Sequence, residues 1–295
     1  MGEDKNMHKL RNLNDNNNAV VGIIVAFLIT GLIVIVLSVV QTVYVPKWME
    51  QNEADHMETV ADQFSQLKFA IDTQSALKSS DTPISTSITL GNKEMPYLMS
   101  ARSYGSLEIK SDECIITITN ATKMESYNVG IIKYCSVNTY FLNQDYIYEN
   151  GAVILCQDDG NTMQIKPSFS ADKQEETTIS FTITNIKSVG GKESINGYGT
   201  YPIQTEYPRN DNYQENEYDD VESLRIDTNY QNAWECYINK ELINSGLDPD
   251  THYTINSDTD GISVVFLDTT NINLKLFDIY AQISPGWIEN ERGGY

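Results

Sequence analysis

The sequence is poor in the residues that most often carry catalysis. Its 295 residues include three histidines, His8, His56 and His252, which lie far apart along the chain. A metal site built from several histidines is therefore excluded, and no GxSxG, HExxH or phosphate-loop spacing is present. We expect a protein that is not an enzyme, with no catalytic residues and no cofactor.

Positive charge is also scarce. Lys and Arg number 20 against 41 Asp and Glu, which gives a net charge of −21. Because such a field repels phosphate backbones, we expect no nucleic acid partner.

Cysteine is rare, and no two cysteines form a CxxC pair. This argues against a zinc ribbon or a redox motif. The even number permits one or two disulfides in any of three pairings, and buried free thiols are the alternative. The four residues are Cys114, Cys135, Cys156 and Cys236.

Charge is absent from residues 16–45, and residues 19–45 are almost wholly apolar. A helix needs about 20 such residues to cross a hydrocarbon core roughly 30 Å thick. A cleaved secretory signal has a shorter apolar region, of about 7–15 residues, and a buried helix of a soluble protein normally has a polar face. Residues 19–45 therefore predict a transmembrane helix, with membrane lipid as its partner.

Basic residues are biased toward one side of this helix. Lys5, Lys9 and Arg11 precede it, whereas Lys47 alone follows it closely. Basic residues near a span favour the cytoplasm. We expect a single-pass protein of the cell membrane, with residues 1–18 cytoplasmic and the C-terminal domain extracellular.

A second helical pattern follows the span directly. Pro46 removes the hydrogen bond to the Thr42 carbonyl and predicts a kink. Residues 46–75 then predict an amphipathic helix, with Glu53 and Lys68 placed away from the apolar stripe. The stripe consists of Met57, Val60, Phe64, Leu67 and Ile71.

Residues 76–205 predict a β-rich domain, because short segments rich in β-branched and aromatic residues alternate with turns. Asn150-Gly151 is a strong hairpin signal, since both positions of such a turn need a positive φ. No helix-length segments separate the strands, which favours a mainly antiparallel sandwich or rolled sheet. The expected strands include residues 84–90, 107–109, 114–119, 129–134 and 177–186.

The last part of the chain returns to a mixed pattern. Residues 206–226, where tyrosines alternate with Asn, Asp and Glu, predict an exposed acidic loop. Residues 227–295 predict one helix, ended by Gly246 with Leu247 in contact, and strands that pack on the β-rich domain. The expected fold class is α+β: a long N-terminal helix, then the sheet, with one helix in the C-terminal region.

One acidic segment is a candidate cation site. Asn256, Asp258 and Asp260 precede a glycine at the alternate positions of a calcium loop, but Leu267 stands where the final carboxylate is expected. An ordinary hairpin turn is the alternative.

Two further patterns predict modification and assembly. Asn120 begins a glycosylation sequon with Thr122. Gly22, Ala26 and Thr30 recur at a four-residue spacing, and small residues let helices approach closely in lipid. They predict a face for helix packing.

The layout of the whole chain resembles the type IV pilin-like surface proteins of archaea. The likeness covers most of the chain and includes an Asn-rich start of the apolar helix, a hairpin, a Pro-Ser-Phe segment and an Ala-Trp helix. These are residues 16–22, 148–153, 167–169, 233–234 and 245–247, together with Met163.

The resemblance implies a structural or assembly role at the cell surface, with the N-terminal helix packed against its own copies or other pilin-like subunits. Residues 16–18 are Asn where Gly or Ala normally precedes the pilin cleavage site, so an uncleaved anchor is the alternative to a processed subunit. A solitary membrane-tethered binding or adhesion domain and an ectoenzyme are the other functions that remain open.

Overall fold

A single helical rod leads into the rest of the molecule. The computed structural model describes residues 4–78, 82–92, 103–190, 192–208 and 213–283, with side chains from Val20 onward. Helix α1 (Asp4–Val39) continues through one wide π turn (Val40–Tyr44) into α2 (Val45–Leu77). Within the described residues, one helix, Val20–Leu77, contains a window long and apolar enough to cross a membrane.

The π turn accommodates the proline that the sequence placed at the end of the span. Pro46 has no N–H, and its ring crowds the carbonyl of Thr42, four residues earlier. The chain responds by widening, so that the Val45 N–H donates to the Val40 carbonyl, five residues back. The structure thus has one π turn directly before the proline at which the sequence predicts a kink.

The amphipathic half of the rod is built as its stripe predicts. Met57, Val60, Phe64, Leu67 and Ile71 are all buried. The helix ends at Leu77, where Lys78 adopts the left-handed conformation with φ 48°.

Glu53 and Lys68 correct the sequence interpretation, because both are buried rather than turned away from the core. Glu53 lies four residues before Met57, and residues four apart share one face of a helix. Lys68 is tied to Asp72, one turn later, by an ion pair of 2.6 Å.

The remaining elements form two sheets and a third helix, α3 (Gln231–Asn244). The first sheet has the strand order β1-β10-β15-β8-β7, with β11 also paired to β15. Its strands are β1 (Ile84–Thr89), β7 (Phe169–Lys173), β8 (Thr177–Ser188), β10 (Thr200–Glu206), β11 (Gln214–Tyr218) and β15 (Thr270–Ile283).

The second sheet has the order β13-β14-β12-β2-β3-β4-β5-β6, with β9 also paired to β2. Its strands are β2 (Tyr104–Asn120), β3 (Met124–Val137), β4 (Asp145–Glu149), β5 (Ala152–Gln157), β6 (Gly160–Ile165), β9 (Ser194–Gly197), β12 (Val221–Asp227), β13 (Tyr253–Ser257) and β14 (Gly261–Phe266).

The mainly antiparallel, curled sheet architecture is confirmed, and one parallel pair, β8 with β15, is embedded in it. Asn150 and Gly151 join β4 to β5 with φ 48° and 76°, as the hairpin signal predicts. Gly246 ends α3 with φ 84°, and Leu247 beyond it is buried.

The acidic stretch at residues 206–226 is not the loop that its composition predicts. Strands β11 and β12 run through it and pair with β15 and β2, in different sheets. The physical reason is alternation: Tyr218, Leu224 and Ile226 are buried, while Glu215 and Glu217 project outward. Composition hid this pattern, because many of the outward residues are charged.

The C-terminal part is integral to the β-rich domain rather than packed on its outside. Strands β12, β13 and β14 extend the second sheet beside β2, and β15 lies within the first sheet between β10 and β8. We refer to both sheets together with α3 as the head.

Two apolar cores hold the head together. One lies between the sheets and α3 and includes Trp234, Ile116 and Phe181. The other joins α2 to the sheets and includes Phe64 and Leu67 beside residues of both sheets. The amphipathic half of the rod is therefore part of the head's core.

Two phenylalanines on α2 test this. Phe64 is fully buried, whereas Phe69 on the same helix is 73% exposed. We expect Phe64→Ala to lower the free energy of unfolding of the detergent-solubilised protein by about 3–5 kcal/mol, because it opens a cavity. Phe69→Ala, the matched control, should change it by less than about 0.5 kcal/mol in denaturant titrations. Equal effects of the two substitutions would contradict the docking of α2.

Candidate functional site at the helix–head junction

A buried carboxylate joins the rod to the head. Glu53 lies on α2, two turns beyond the apolar run, and its side chain accepts the backbone N–H groups of three successive residues in the β3–β4 loop. These are Thr139 (3.1 Å), Tyr140 (2.7 Å) and Phe141 (2.7 Å). Successive N–H groups that converge in this way form an anion-binding concavity. Glu53 therefore holds the loop of residues 138–144 against the helix.

A second polar contact lies one turn further along α2. The His56 ring nitrogen Nε2 is 3.2 Å from the Tyr134 hydroxyl, which donates to the Leu90 carbonyl at 3.1 Å. Burial lowers the pKa of His56, so the neutral imidazole is favoured here. The contact links α2 to β3 and to the end of β1 through neutral groups.

Gln74 also contacts the backbone of the head, near the end of α2 that is farther from the span. Its amide nitrogen donates to the Thr205 carbonyl at 2.7 Å and to the Thr82 carbonyl at 3.2 Å. Glu53 and Gln74 therefore bond backbone groups of the head on either side of the apolar stripe.

The predicted packing face of the span is open. A Cβ added at Gly22 would meet nothing within 4 Å, and Thr30 donates its hydroxyl to the Ala26 carbonyl at 2.8 Å. The side chains of the apolar run up to Tyr44 are uncovered by the rest of the described chain.

A second buried carboxylate, Glu149, lies at the end of β4, next to the Asn150-Gly151 turn. Glu149 accepts a hydrogen bond from the Trp234 indole at 2.6 Å and another from the Thr228 hydroxyl at 2.7 Å. The next residue, Asn150, accepts the Thr184 N–H at 3.0 Å. The hairpin and the Ala-Trp helix, far apart in sequence, thus meet at one site.

The environment of Glu149 favours its protonated form. Burial raises the pKa of this carboxyl to about 7, the two hydrogen bonds oppose the rise, and the charge of Glu113 adds to it. No sequence pattern marks either buried carboxylate as a site, and the one available signal was the four-residue spacing of Glu53 from Met57.

The candidate cation segment forms the β13–β14 hairpin turn. Asp258 accepts the N–H groups of Asp260 and Gly261, both at 2.9 Å, and forms a bidentate ion pair with Arg225. The guanidinium lowers the pKa of Asp258 to about 2. Asn256 lies within β13, paired with Ser263. The geometry is that of the hairpin alternative.

The four cysteines are free thiols in the structure. Cys135 on β3 and Cys156 on β5 are separated by β4, so their backbones lie about 9–10 Å apart. A disulfide needs Cα atoms within about 7 Å. Burial raises the pKa of Cys135 to about 11, which disfavours the reactive thiolate.

The sequon residue Asn120 closes the turn between β2 and β3. Its side-chain oxygen Oδ1 accepts the N–H groups of Thr122 (3.2 Å) and Lys123 (2.8 Å), and its side-chain nitrogen Nδ2 donates to the Asp219 carbonyl at 3.2 Å. The nitrogen that would carry a glycan thus has a backbone partner.

A polar groove of about 660 Å³ opens beside this turn, between the start of β3 and β11. The Tyr127 and Tyr218 hydroxyls bond each other and the Glu125 carboxylate. Asn216 donates to Tyr127 at 3.0 Å. Sequence patterns did not indicate this groove, because its two walls come from segments nearly 90 residues apart.

Within the described residues, no group of three or more His, Cys, Asp or Glu side chains is arranged to hold a metal ion.

Glu53→Ala should release the β3–β4 loop, because three backbone N–H groups lose their acceptor. We expect amide hydrogen exchange at residues 139–141 to accelerate strongly, with a cost of about 2–4 kcal/mol to the free energy of unfolding. Glu50→Ala, an exposed carboxylate on the same helix, is the control. Unchanged exchange at these amides in Glu53→Ala would rule out the proposed contact.

Glu149 predicts a pH dependence of stability. Because its folded-state pKa lies above the ordinary value of 4.5, its protonated form stabilises the fold below pH 4.5, and this contribution is lost as the pH rises through about 7. Glu149→Gln should be up to about 3 kcal/mol more stable than the wild type at pH 8. Near pH 4.5 the two proteins should be similar.

The matched control is Glu217→Gln, at an exposed carboxylate on β11. It should follow the wild type at both pH values in thermal unfolding. A wild type that is as stable as Glu149→Gln at pH 8 would contradict the raised pKa.

Comparison with known proteins gives a family but no activity. No curated protein and no solved structure matches the chain. A family model matches residues 18–275, which include the span, the junction and both sheets. The chain belongs to the family described as a family of unknown function, DUF7289.

Proposed function

We propose that the protein is a membrane-anchored, pilin-like structural or assembly protein of the cell surface, with an extracellular β-rich head. One observation carries the proposal: a helix able to span a membrane continues without interruption into the helix on which the head is built. Such a rod transmits the position of the span to the head. This suits a structural subunit better than a head joined by a flexible linker.

The orientation of the rod is part of the proposal. Lys5, Lys9 and Arg11 before the apolar run favour a cytoplasmic location for residues 1–18. The net charge of −21 favours a soluble head in the aqueous medium outside.

Assembly through the span is supported by the open face at Gly22, Ala26 and Thr30. The one hydroxyl there is satisfied within its own helix, so the face needs no polar partner. A second helix can approach the backbone closely at Gly22 and Ala26, and close packing is what holds helices together in lipid.

The second candidate is a solitary membrane-tethered binding domain. It is favoured by the groove at Tyr127, Tyr218 and Glu125, which presents hydroxyl, amide and carboxylate groups. In that case the span serves only as an anchor.

Crosslinking in membranes separates the two candidates. We expect Ala26→Leu to reduce crosslinked oligomers severalfold, because the larger side chain separates neighbouring helices, while the head folds normally. Leu28→Phe, which adds bulk on the opposite side of the helix, is the control and should crosslink like the wild type. Equal crosslinking by all three proteins would contradict the proposal that Gly22, Ala26 and Thr30 form a packing face. The absence of oligomers from the wild type would favour the solitary domain.

A further inference from the structure

The rod becomes covered by the rest of the chain at the point where the apolar run ends. Tyr44, the last residue of the π turn, is 50% exposed, whereas Val45 is 3% exposed and Met49 is fully buried. Within one turn, the rod therefore passes from an exposed run to a stretch that is covered on one side by other parts of the chain. If the run lies in lipid, about two turns of helix lead from its end to the contact of Glu53 with the head.

The direction of the strands along α2 shows which end of the head faces the span. From the span outward, Glu53 contacts the β3–β4 loop, Phe64 contacts Tyr146 on β4, and Gln74 bonds Thr205 on β10. The loop of residues 138–144 is therefore at the end nearest the span. Eight residues of helix, about 12 Å, separate Glu53 from Val45.

This end presents apolar and aromatic side chains to the outside. Val137 and Tyr104 are direct neighbours in the pairing of β3 with β2. Tyr198 packs edge-on against Tyr104 at 6.4 Å, and Leu142 in the pinned loop is 63% exposed. We call Tyr104, Val137, Leu142 and Tyr198, all largely exposed, the basal face.

Within the part of the chain that the structure describes, the segments that reach the basal face carry no charge. Residues 84–92, 103–107, 134–144 and 194–205 contain no Asp, Glu, Lys or Arg, in a protein of net charge −21. The nearest charges on β3 and β4, Lys133 and Asp145, oppose each other at 3.7 Å. Glu125, Glu215 and Glu217 lie instead toward the other end of β3, around the polar groove.

From these observations we infer that the basal face is a second membrane contact, which rests in the lipid headgroup layer beside the span. The inference depends on the proposed membrane anchoring. Its ligand is the surface of a neutral phospholipid bilayer, because tyrosine rings with apolar neighbours suit the interface between hydrocarbon and water. An uncharged face also approaches the headgroups without the cost of desolvating ions.

Continuity with the span is the reason to choose lipid as the occupant. Tyr44 and Trp48, both exposed, lie on the rod between the apolar run and the pinned loop, where aromatic rings suit the interface between hydrocarbon and water. The head can move relative to the span only by undocking from α2, which breaks the Glu53 contacts and exposes the apolar stripe, or by bending the rod. The membrane contact of the basal face therefore fixes both the distance of the head from the bilayer and the tilt of the head.

Quenching by labelled lipid tests the inference in the full chain. A fluorophore is attached to Leu142→Cys, or to Met124→Cys as the matched control, in a background carrying Cys135→Ala, Cys156→Ala and Cys236→Ala. Met124 is 70% exposed and lies at the opposite end of β3. The proteins are reconstituted in phosphatidylcholine vesicles containing lipid with a nitroxide on the headgroup.

We expect the label at position 142 to lose most of its fluorescence and the label at position 124 to keep most of it. Equally weak quenching at both positions would overturn the inference. So would shielding of position 142 from a water-soluble quencher without quenching by the labelled lipid, because a second protein copy would then cover the face. Alkaline carbonate extraction of the same vesicles distinguishes failure of the membrane anchoring from failure of the basal contact. Release of the protein refutes the anchoring itself. A retained protein with an unquenched label at position 142 refutes the basal contact alone.

Discussion

The structure depends on the burial of one apolar stripe of α2 in the head. Each fully buried side chain of this size contributes about 1.5–3 kcal/mol relative to leaving it in water. Met57, Val60, Phe64, Leu67 and Ile71 are all fully buried and share a core with residues of both sheets. The helix that continues the apolar run is therefore also the element around which the sheets close, and the head has no complete core without it.

The polar contacts on either side of this stripe set its position. Hydrophobic burial is not directional, so it does not by itself fix how far a helix slides along a sheet. Glu53 captures three N–H groups of one loop, and Gln74 bonds the Thr205 carbonyl about six turns further along. A slide by one turn would leave these buried groups without partners, which is costly. These polar contacts thus fix one alignment of α2 in an otherwise nonspecific apolar interface. The distance of the head from the span follows from this alignment.

Local patterns predicted the parts of the fold that local physics decides. The apolar run is recognised from its length alone, and the α2 stripe is recognised from its helical period. The turns at Asn150-Gly151 and Gly246 are recognised because these residue types favour the positive φ that the turns require. The prediction of a loop at residues 206–226 was wrong because the composition of this region resembles that of a loop. The alternation of buried and exposed residues around Tyr218 and Leu224 indicates strands only once β15 and β2 are known to lie beside them.

The site was less accessible to sequence reasoning, because its partners are remote. Glu53 was assigned to the wrong face since a carboxylate is rarely buried, although its spacing from Met57 places it on the stripe. Its acceptor role depends on a loop 86 residues away. Glu149 likewise becomes unusual only when Trp234, 85 residues later, covers it. The basal face could not be predicted from the sequence, because four separate chain segments contribute to the same end of the head.

The dependence of the head on α2 can be measured with two fragments. A fragment that begins at Glu50 lacks the membrane span but keeps Glu53, the apolar stripe and Gln74. It should be soluble, β-rich and cooperative in unfolding. A fragment that begins at Ser75 exposes the surface that the stripe covers, and it should aggregate or remain unfolded. A Ser75 fragment that folds as stably and as cooperatively as the Glu50 fragment would contradict the claim that the outer half of the rod is the core of the head.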